Sequence, residues 1–475
     1  MMPYQESGKL SLTESEAAAL EDVLRFPLAD ALFGRRSRRF FRGAAIPDGA
    51  LQYESKHEPL PLSQLERLLV LLAMGGVTGW SNLVTRHDRY APHLSNYSGS
   101  ASGRTLASAA GFQTSEIFFT DDSGTYIFAT RDFPPPIARN AEGQTGLRDL
   151  LEAHESRIRK ISEDRIYLPR REPYMEGHNT WVANAPGSLL AFPVGDLAQH
   201  TLLNLAFYVQ NGFCIYDDIN HRQIPGMKKF GDLVDLQSPY PLSFLDQYSL
   251  AELSAELAIS SFNGQLMLQA LGLGGWSFDG IDRLTILGAS GDPAVPGLGF
   301  RFATDPRWAL PNPTGLEGVF TAYAPPHYAD MYAATDALIE RKFGPGGPFH
   351  PNTPGPWTDS PRVRSSAQVH DARFRECVAL QAQYMYETFG KFPATIPSVH
   401  ILMYLQAHHL DLDFYDAKFA PGAYLRTHRD HLARWHGWNG DTAKEVLGST
   451  SGRAPGSLTK GTRGARPALI RFAAR

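Results

Sequence analysis

The sequence predicts an α+β protein. Three observations carry that expectation: a capped amphipathic helix over Leu62–Ala73, two short strands joined by turn residues over Glu116–Thr130, and a second long helix over Leu250–Leu271. The chain has 475 residues, 43% hydrophobic and 20% charged, so a core can form without disulfide or metal staples.

In chain order, residues 12–33 place Leu and Ala at helical spacing, with Ser11 or Thr13 as N-cap. Leu62–Ala73 follows Ser63, with Glu66 three residues on as in a capping box, and stops at Gly75-Gly76. Residues 95–111 are rich in Gly, Ser and Ala and read as a loop. Glu116–Thr120 and Thr125–Thr130 flank Asp121-Asp122-Ser123-Gly124, which is hairpin-turn chemistry. Residues 144–163 read as a charged surface helix, Leu189–Val194 as a strand and Leu197–Val209 as a helix ending at Asn211-Gly212. Ser249 is the expected cap of Leu250–Leu271. Residues 343–365 are Gly/Pro-rich and serve as the expected linker. Beyond it, 366–390, 395–410 and 420–437 are expected helices, so that 366–445 forms a helical C-terminal region and 446–475 a mobile basic tail.

A formal net charge of -4 argues against nucleic acid as a partner. Two cysteines, Cys214 and Cys377, fit no metal spacing and point to a reducing compartment. The first residues lack the pattern of a secretory signal, and apolar stretches are shorter than a membrane span. The expected location is cytoplasmic, with no membrane partner.

Three motifs carry chemistry. Arg35-Arg36-Ser37-Arg38-Arg39-Phe40 offers guanidinium forks that match phosphate oxygens; in an extended segment Arg35, Ser37 and Arg39 share one face. A basic surface stretch is the other reading of the same residues. Gly103–Glu116 contains small residues that permit close approach to a flat ring, with Ser108 as a donor, or it is simply a tight turn into a strand. Leu271–Asp282 ends a helix on glycines and continues extended, which can present a backbone N–H to a cofactor or form a capped core strand.

As an ordered set, these motifs resemble the nitroreductase family of FMN enzymes. The resemblance implies a nitroreductase-like fold, with a central, mostly antiparallel sheet flanked by helices. It also implies FMN as cofactor and a homodimer with FMN at the subunit interface. Arg35-Arg36-Ser37-Arg38-Arg39 is similar to the family's Arg-x-Ser-x-Arg/Lys signature, which contacts the phosphate. The segment through Ser277, Phe278, Asp279 and Gly280 resembles the one whose backbone reaches flavin N5. Ala107–Glu116 looks like the Pro-Ser-Gly-Gly-Ala block of the azoline-oxidase branch, which oxidises thiazoline or oxazoline rings in peptides. Ala107 and Ala109-Ala110 depart from that block. The expected cofactor-binding residues are Arg35, Arg36, Ser37, Arg39, Ser108, Ala109, Gly111, Gln113, Ser277, Phe278, Asp279 and Gly280. A second phosphate ligand is sought at Arg301 or Arg307, and an insertion over about 131–185 places Tyr174, His178 and Trp181 as a lid. No motif names a catalytic acid or base.

The function implied is ping-pong hydride transfer on a small-molecule or peptide substrate, with NAD(P)H as a possible donor. The alternative is a flavin-fold protein without redox activity that acts as a partner-binding scaffold. No metal site is expected. His428 and His431, three residues apart, can share a helix face with Asp430 as an oxygen donor, the pattern of metal ligands, but with no third ligand at defined spacing His428, Asp430, His431 and His436 read as positions on a solvated helix, His408-His409 as structural and Asp411/Asp413 as solvated acids. Gly344-Pro345-Gly346-Gly347 lacks the Lys-Ser/Thr of a phosphate loop, and Gly297-Leu298-Gly299 is too short for a dinucleotide fingerprint.

Overall fold

The structure is a computed structural model and describes residues 11–84, 86, 96, 98–133 and 146–438. Part of the 131–185 insertion and the whole 446–475 tail lie outside the described residues.

A seven-stranded sheet organises the chain. Its strands are β1 (Ser115–Asp121), β2 (Gly124–Phe128), β3 (Ile158–Ser162), β4 (Leu189–Asp196), β5 (Gly274–Phe278), β6 (Val399–Ile401) and β7 (Tyr404–His408). Their order is β5-β7-β4-β1-β2-β3, with β6 also on β4, and every pairing is antiparallel. Helices α1 (Glu14–Arg25), α2 (Leu28–Gly34), α3 (Gln64–Gly75), α4 (Leu147–Glu155), α5 (Leu197–Gln210), α6 (Leu242–Leu271), α7 (Met331–Phe343), α8 (Ala372–Phe389) and α9 (Arg426–His436) surround it.

Strand alternation builds two cores. Phe118, Phe192 and Tyr404 face one way, with residues of α5 and α8 such as Leu202 and Met385. Phe119, Ala191 and Leu405 face the other, against Leu68 and Leu69 of α3, Leu268 of α6 and Trp435 of α9. Since both faces are covered, β4 is buried along its whole length. The capping box on α3 is present as expected: Glu66 N–H donates to Ser63 Oγ (3.2 Å) and Ser63 N–H to Glu66 Oε2 (2.6 Å).

Several expectations need correction. The helix over 12–33 is two helices, because Pro27 forces Phe26 into an extended conformation. The helix over 144–163 ends at Glu155, and Ile158–Ser162 becomes an edge strand whose outward positions tolerate Arg159 and Lys160. Ser249 is not a cap; α6 begins at Leu242, and Ser249 Oγ donates to Leu245 O inside the helix (2.8 Å). Residues 395–410 are not helical but supply β6 and β7. Thus 366–445 is not a separate helical region: β7 lies between β5 and β4. The 343–365 stretch buries Phe349 and carries a short helix, Ser360–Ser365, rather than running free.

Among the described residues, no helix is long and apolar enough to cross a membrane.

Candidate functional site

After α2 the chain runs extended, and its first motif meets the third. Gly275 N–H donates to Arg38 O (2.9 Å), forming an antiparallel bridge on the outer edge of β5. This pairing buries Arg38, whose guanidinium donates to Ala423 O (2.9 Å), Gln269 Oε1 (2.8 Å) and Gly34 O (3.2 Å). Burial lowers its pKa to about 10. Its neighbours point outward. Arg36 and Ser37 are exposed, Arg35 is half-buried, and Arg39 lies over the Trp276 ring, 4.9 Å from the centroid. Arg36 donates only to the carbonyls of Phe33 and Arg35. Among the described residues, no carboxylate forms an ion pair with Arg35, Arg36 or Arg39.

Arg36, Ser37, Arg38 and Arg39, but not Arg35, border a cavity of about 460 Å³, walled also by Trp181, Phe414 and Tyr415. Phe40 stacks on Phe414 with centroids 3.9 Å apart, which fixes the aromatic side of the wall.

The end of β5 borders a second, larger cavity of about 1070 Å³, which Asp279 and Gly280 share with Arg283, Lys391 and His400. Burial lowers the His400 imidazole to about pKa 4, so that ring is neutral. Phe278 stacks on Trp276 (4.8 Å), and Ser277 Oγ donates to Ser261 O (3.2 Å). The Gly280 N–H donates to Asp279 Oδ1 (2.8 Å), so the donor expected at a flavin edge has an internal partner here. Glycine is required at 280: φ is +99°, and a Cβ would meet Asn179 Nδ2 at 2.7 Å. The 174–181 segment clamps this end. Glu176 N–H donates to Gly280 O (2.9 Å), and Asn179 Nδ2 donates to Asp279 O (3.1 Å). Glu176 borders the larger cavity and Trp181 the smaller, so the expected lid straddles both, while His178 is exposed beside Glu176 at 3.5 Å.

The middle motif lies elsewhere. Ser108 Oγ donates to Glu256 Oε2 (2.5 Å) and accepts from Gln113 N–H (2.9 Å). The Gln113 amide bonds Arg104 and Ser102 O, and Ala109–Gly111 forms one tight turn with Ala110 at φ 49°. Glu256 precedes Gln269, the partner of Arg38, by thirteen residues of α6, or about 20 Å along the axis. Within one chain, Ser108, Ala109, Gly111 and Gln113 therefore do not join the Arg35–Arg39 cradle. Arg301 pairs with Glu317 (3.4 Å) and Arg307 with Asp305 (2.6 Å), so neither offers an uncompensated charge.

One group of residues went unnoticed in the sequence and another was read as solvated or structural. Phe414 and Tyr415 wall the smaller cavity from a segment with no motif. The histidines of α9 are not solvated: His428 and His431 are each 3% exposed, and His431 and His436 converge with His409 on buried Glu66. Their ligand atoms come from three distant segments, so no spacing announces them.

No family model and no curated protein matches the sequence. Among solved structures the chain is similar to a crystal structure described as a "putative nitroreductase" from Ralstonia eutropha JMP134, at 14% identity, covering 54% of this chain and 72% of that one. The TM-score of 0.24 is too low for that likeness to carry an argument. The chain is a mixed helix-and-sheet protein in which a basic extended segment is pinned to the edge strand of an antiparallel sheet.

Proposed function

We propose that the chain is a flavin-dependent oxidoreductase, nitroreductase-like in chemistry, that binds FMN at the Arg35–Arg39 segment. One observation carries the reading. Arg36 and Arg39, with Arg35 next in sequence, stand without carboxylate partners among the described residues, and the cavity that Arg36 and Arg39 border is walled elsewhere by Trp181, Phe414, Tyr415 and Phe419 together with Ile46 and Leu51. Unpaired guanidinia suit a phosphate monoester, and aromatic walls suit a flat ring. A cavity of about 460 Å³ falls within the usual range for cofactor sites.

FMN, when bound, supplies hydride and electron chemistry. In this reading Arg35, Arg36 and Arg39 hold the phosphate and Ser37 adds a hydroxyl bond. Trp181 and Tyr415 flank the ring. Asp279 and Gly280, which follow Ser277 and Phe278, border the larger cavity, which in this reading receives a peptide-derived or other natural-product intermediate for dehydrogenation, as in the azoline-oxidase branch. Turnover is ping-pong, with NAD(P)H as a candidate donor. The site is completed in a homodimer. Leu28, Leu32 and Phe33 of α2 are 68%, 43% and 80% exposed beside the cradle, an apolar face that a second copy covers. That copy supplies its own Ser108, Ala109, Gly111 and Gln113.

A second reading, a flavin-fold scaffold without redox activity, draws on the internal hydrogen bonds of Ser108 and Gly280. The visible spectrum of the purified protein separates the two. Bands of oxidised flavin that bleach with dithionite and with NADPH support the enzyme, and Arg35→Ala/Arg39→Ala should abolish them. A folded, colourless protein that ignores added FMN overturns the enzyme reading.

A further inference from the structure

Glu66 sits fully buried at the start of α3. Its Oε2 closes the capping box, leaving Oε1 to face the other way. Three imidazole nitrogens reach that single oxygen: His431 Nε2 at 2.8 Å, His436 Nε2 at 3.2 Å and His409 Nε2 at 3.3 Å. The four ligand atoms all lie within 4.8 Å of one another.

The far sides of two rings fix their tautomers. His409 Nδ1 lies 2.8 Å from Leu60 O and His431 Nδ1 lies 2.8 Å from Leu271 O. A carbonyl only accepts, so each Nδ1 carries the hydrogen, and each neutral ring presents a bare Nε2 lone pair to the carboxylate. Lone pairs therefore converge on an anion. Protonation does not resolve this: one oxygen has two lone pairs and cannot satisfy three rings, and a single imidazolium leaves two Nε2 atoms unsatisfied. His431 Nε2 is a buried ring nitrogen without a well-formed hydrogen bond.

A cation at the centre resolves all four contacts. Ligand atoms 2.0–2.1 Å from a tetrahedral cation stand about 3.3 Å apart, close to the Oε1–Nε2 separations found. Nδ1–H bonds to backbone carbonyls are the usual outer support of metal-bound histidines. We propose that Glu66, His409, His431 and His436 form a structural site for a divalent cation of the zinc class. Three imidazoles and one carboxylate suit zinc better than calcium or magnesium, and four protein ligands leave no open catalytic position. The site ties the start of α3, the residue after β7 and the end of α9 together.

The test is elemental analysis of the full chain purified from zinc-supplemented culture, with cobalt substitution as a second readout. One zinc per chain is expected, with the intense visible bands of tetrahedral cobalt after exchange. His431→Ala and His436→Gln should each lower metal content at least tenfold. His57→Ala, in the second acidic-histidine group with Asp411 and Asp413, should leave it unchanged. A folded wild-type chain with less than a tenth of an ion overturns the proposal, as does full metal retention in both His431→Ala and His436→Gln. If either variant fails to fold, the wild-type stoichiometry and cobalt spectrum still decide.

Discussion

The Arg35–Arg39 segment and the end of α9 both concentrate nitrogen-bearing side chains, but the fold treats them in opposite ways. Among the described residues Arg36 and Arg39 stand at a cavity without carboxylate partners, with Arg35 next to them in sequence, while Arg38 is drawn inside. The imidazoles of His409, His431 and His436 are gathered around one buried carboxylate. Guanidinium remains charged in either setting, so leaving it open preserves a site for an incoming anion. Imidazole can be neutral and offer a lone pair, so enclosing it creates a site for a cation. In the readings proposed above, the first arrangement prepares binding and the second holds the fold together.

That contrast can be tested by stability measurements. The largest loss is expected for Glu66→Ala, about 3–5 kcal/mol in urea denaturation, since it removes the common partner of three histidines and half of a capping box. A loss under about 1 kcal/mol would place Glu66 with the open arginines instead. Arg38→Ala should cost about 2 kcal/mol, because it strands the acceptors Ala423 O, Gln269 Oε1 and Gly34 O. A near-zero effect would make Arg38 equivalent to its exposed neighbours.

Acid should separate the regions next. Burial holds folded His154 at about pKa 4 and His408 at about 3, below the unfolded value of 6.5. The unfolded chain therefore protonates first. The stability these rings contribute is complete above about pH 6.5 and falls with pH by about 1.4 kcal/mol per unit for each ring. Glu66, depressed below 4.5, adds a further loss only as pH falls through that lower range. Denaturation at pH 7.5 and 5.5 should show the histidine slope, while flavin retention by guanidinium stays level; a flat stability profile would contradict the assigned burial. The smallest stability change, within about 0.5 kcal/mol, belongs to Arg35→Ala, although flavin content should fall at least tenfold.

Local signals made much of this fold legible. Ser63 and Glu66 mark α3 because a capping box lies within four residues, and Asp121–Gly124 marks the β1–β2 turn by the same locality. The contact between Arg38 and Gly275 was foreshadowed by two motifs expected to share a cofactor, although they meet through backbone pairing. Residues 399–408 were misread because a strand buried on both faces shows no strict alternation: Ile401 to Leu405 is a continuous apolar run, and the polar His400, Gln406 and His408 are buried too. Glu66 was recognised only as a cap because its second oxygen serves residues 343 or more positions away. The middle motif does not meet the Arg35–Arg39 segment within one chain, because small residues describe a turn equally well wherever that turn docks.

The position of β7 has a consequence for how the chain is made. It fills the gap between β5 and β4, so a nascent polypeptide cannot finish its main sheet until residues 404–408 have left the ribosome. Before then β4 and β5 each display an unzipped rim of amide and carbonyl groups, open to pairing with other chains. Premature termination anywhere upstream of Tyr404 should therefore yield aggregates rather than a smaller folded protein.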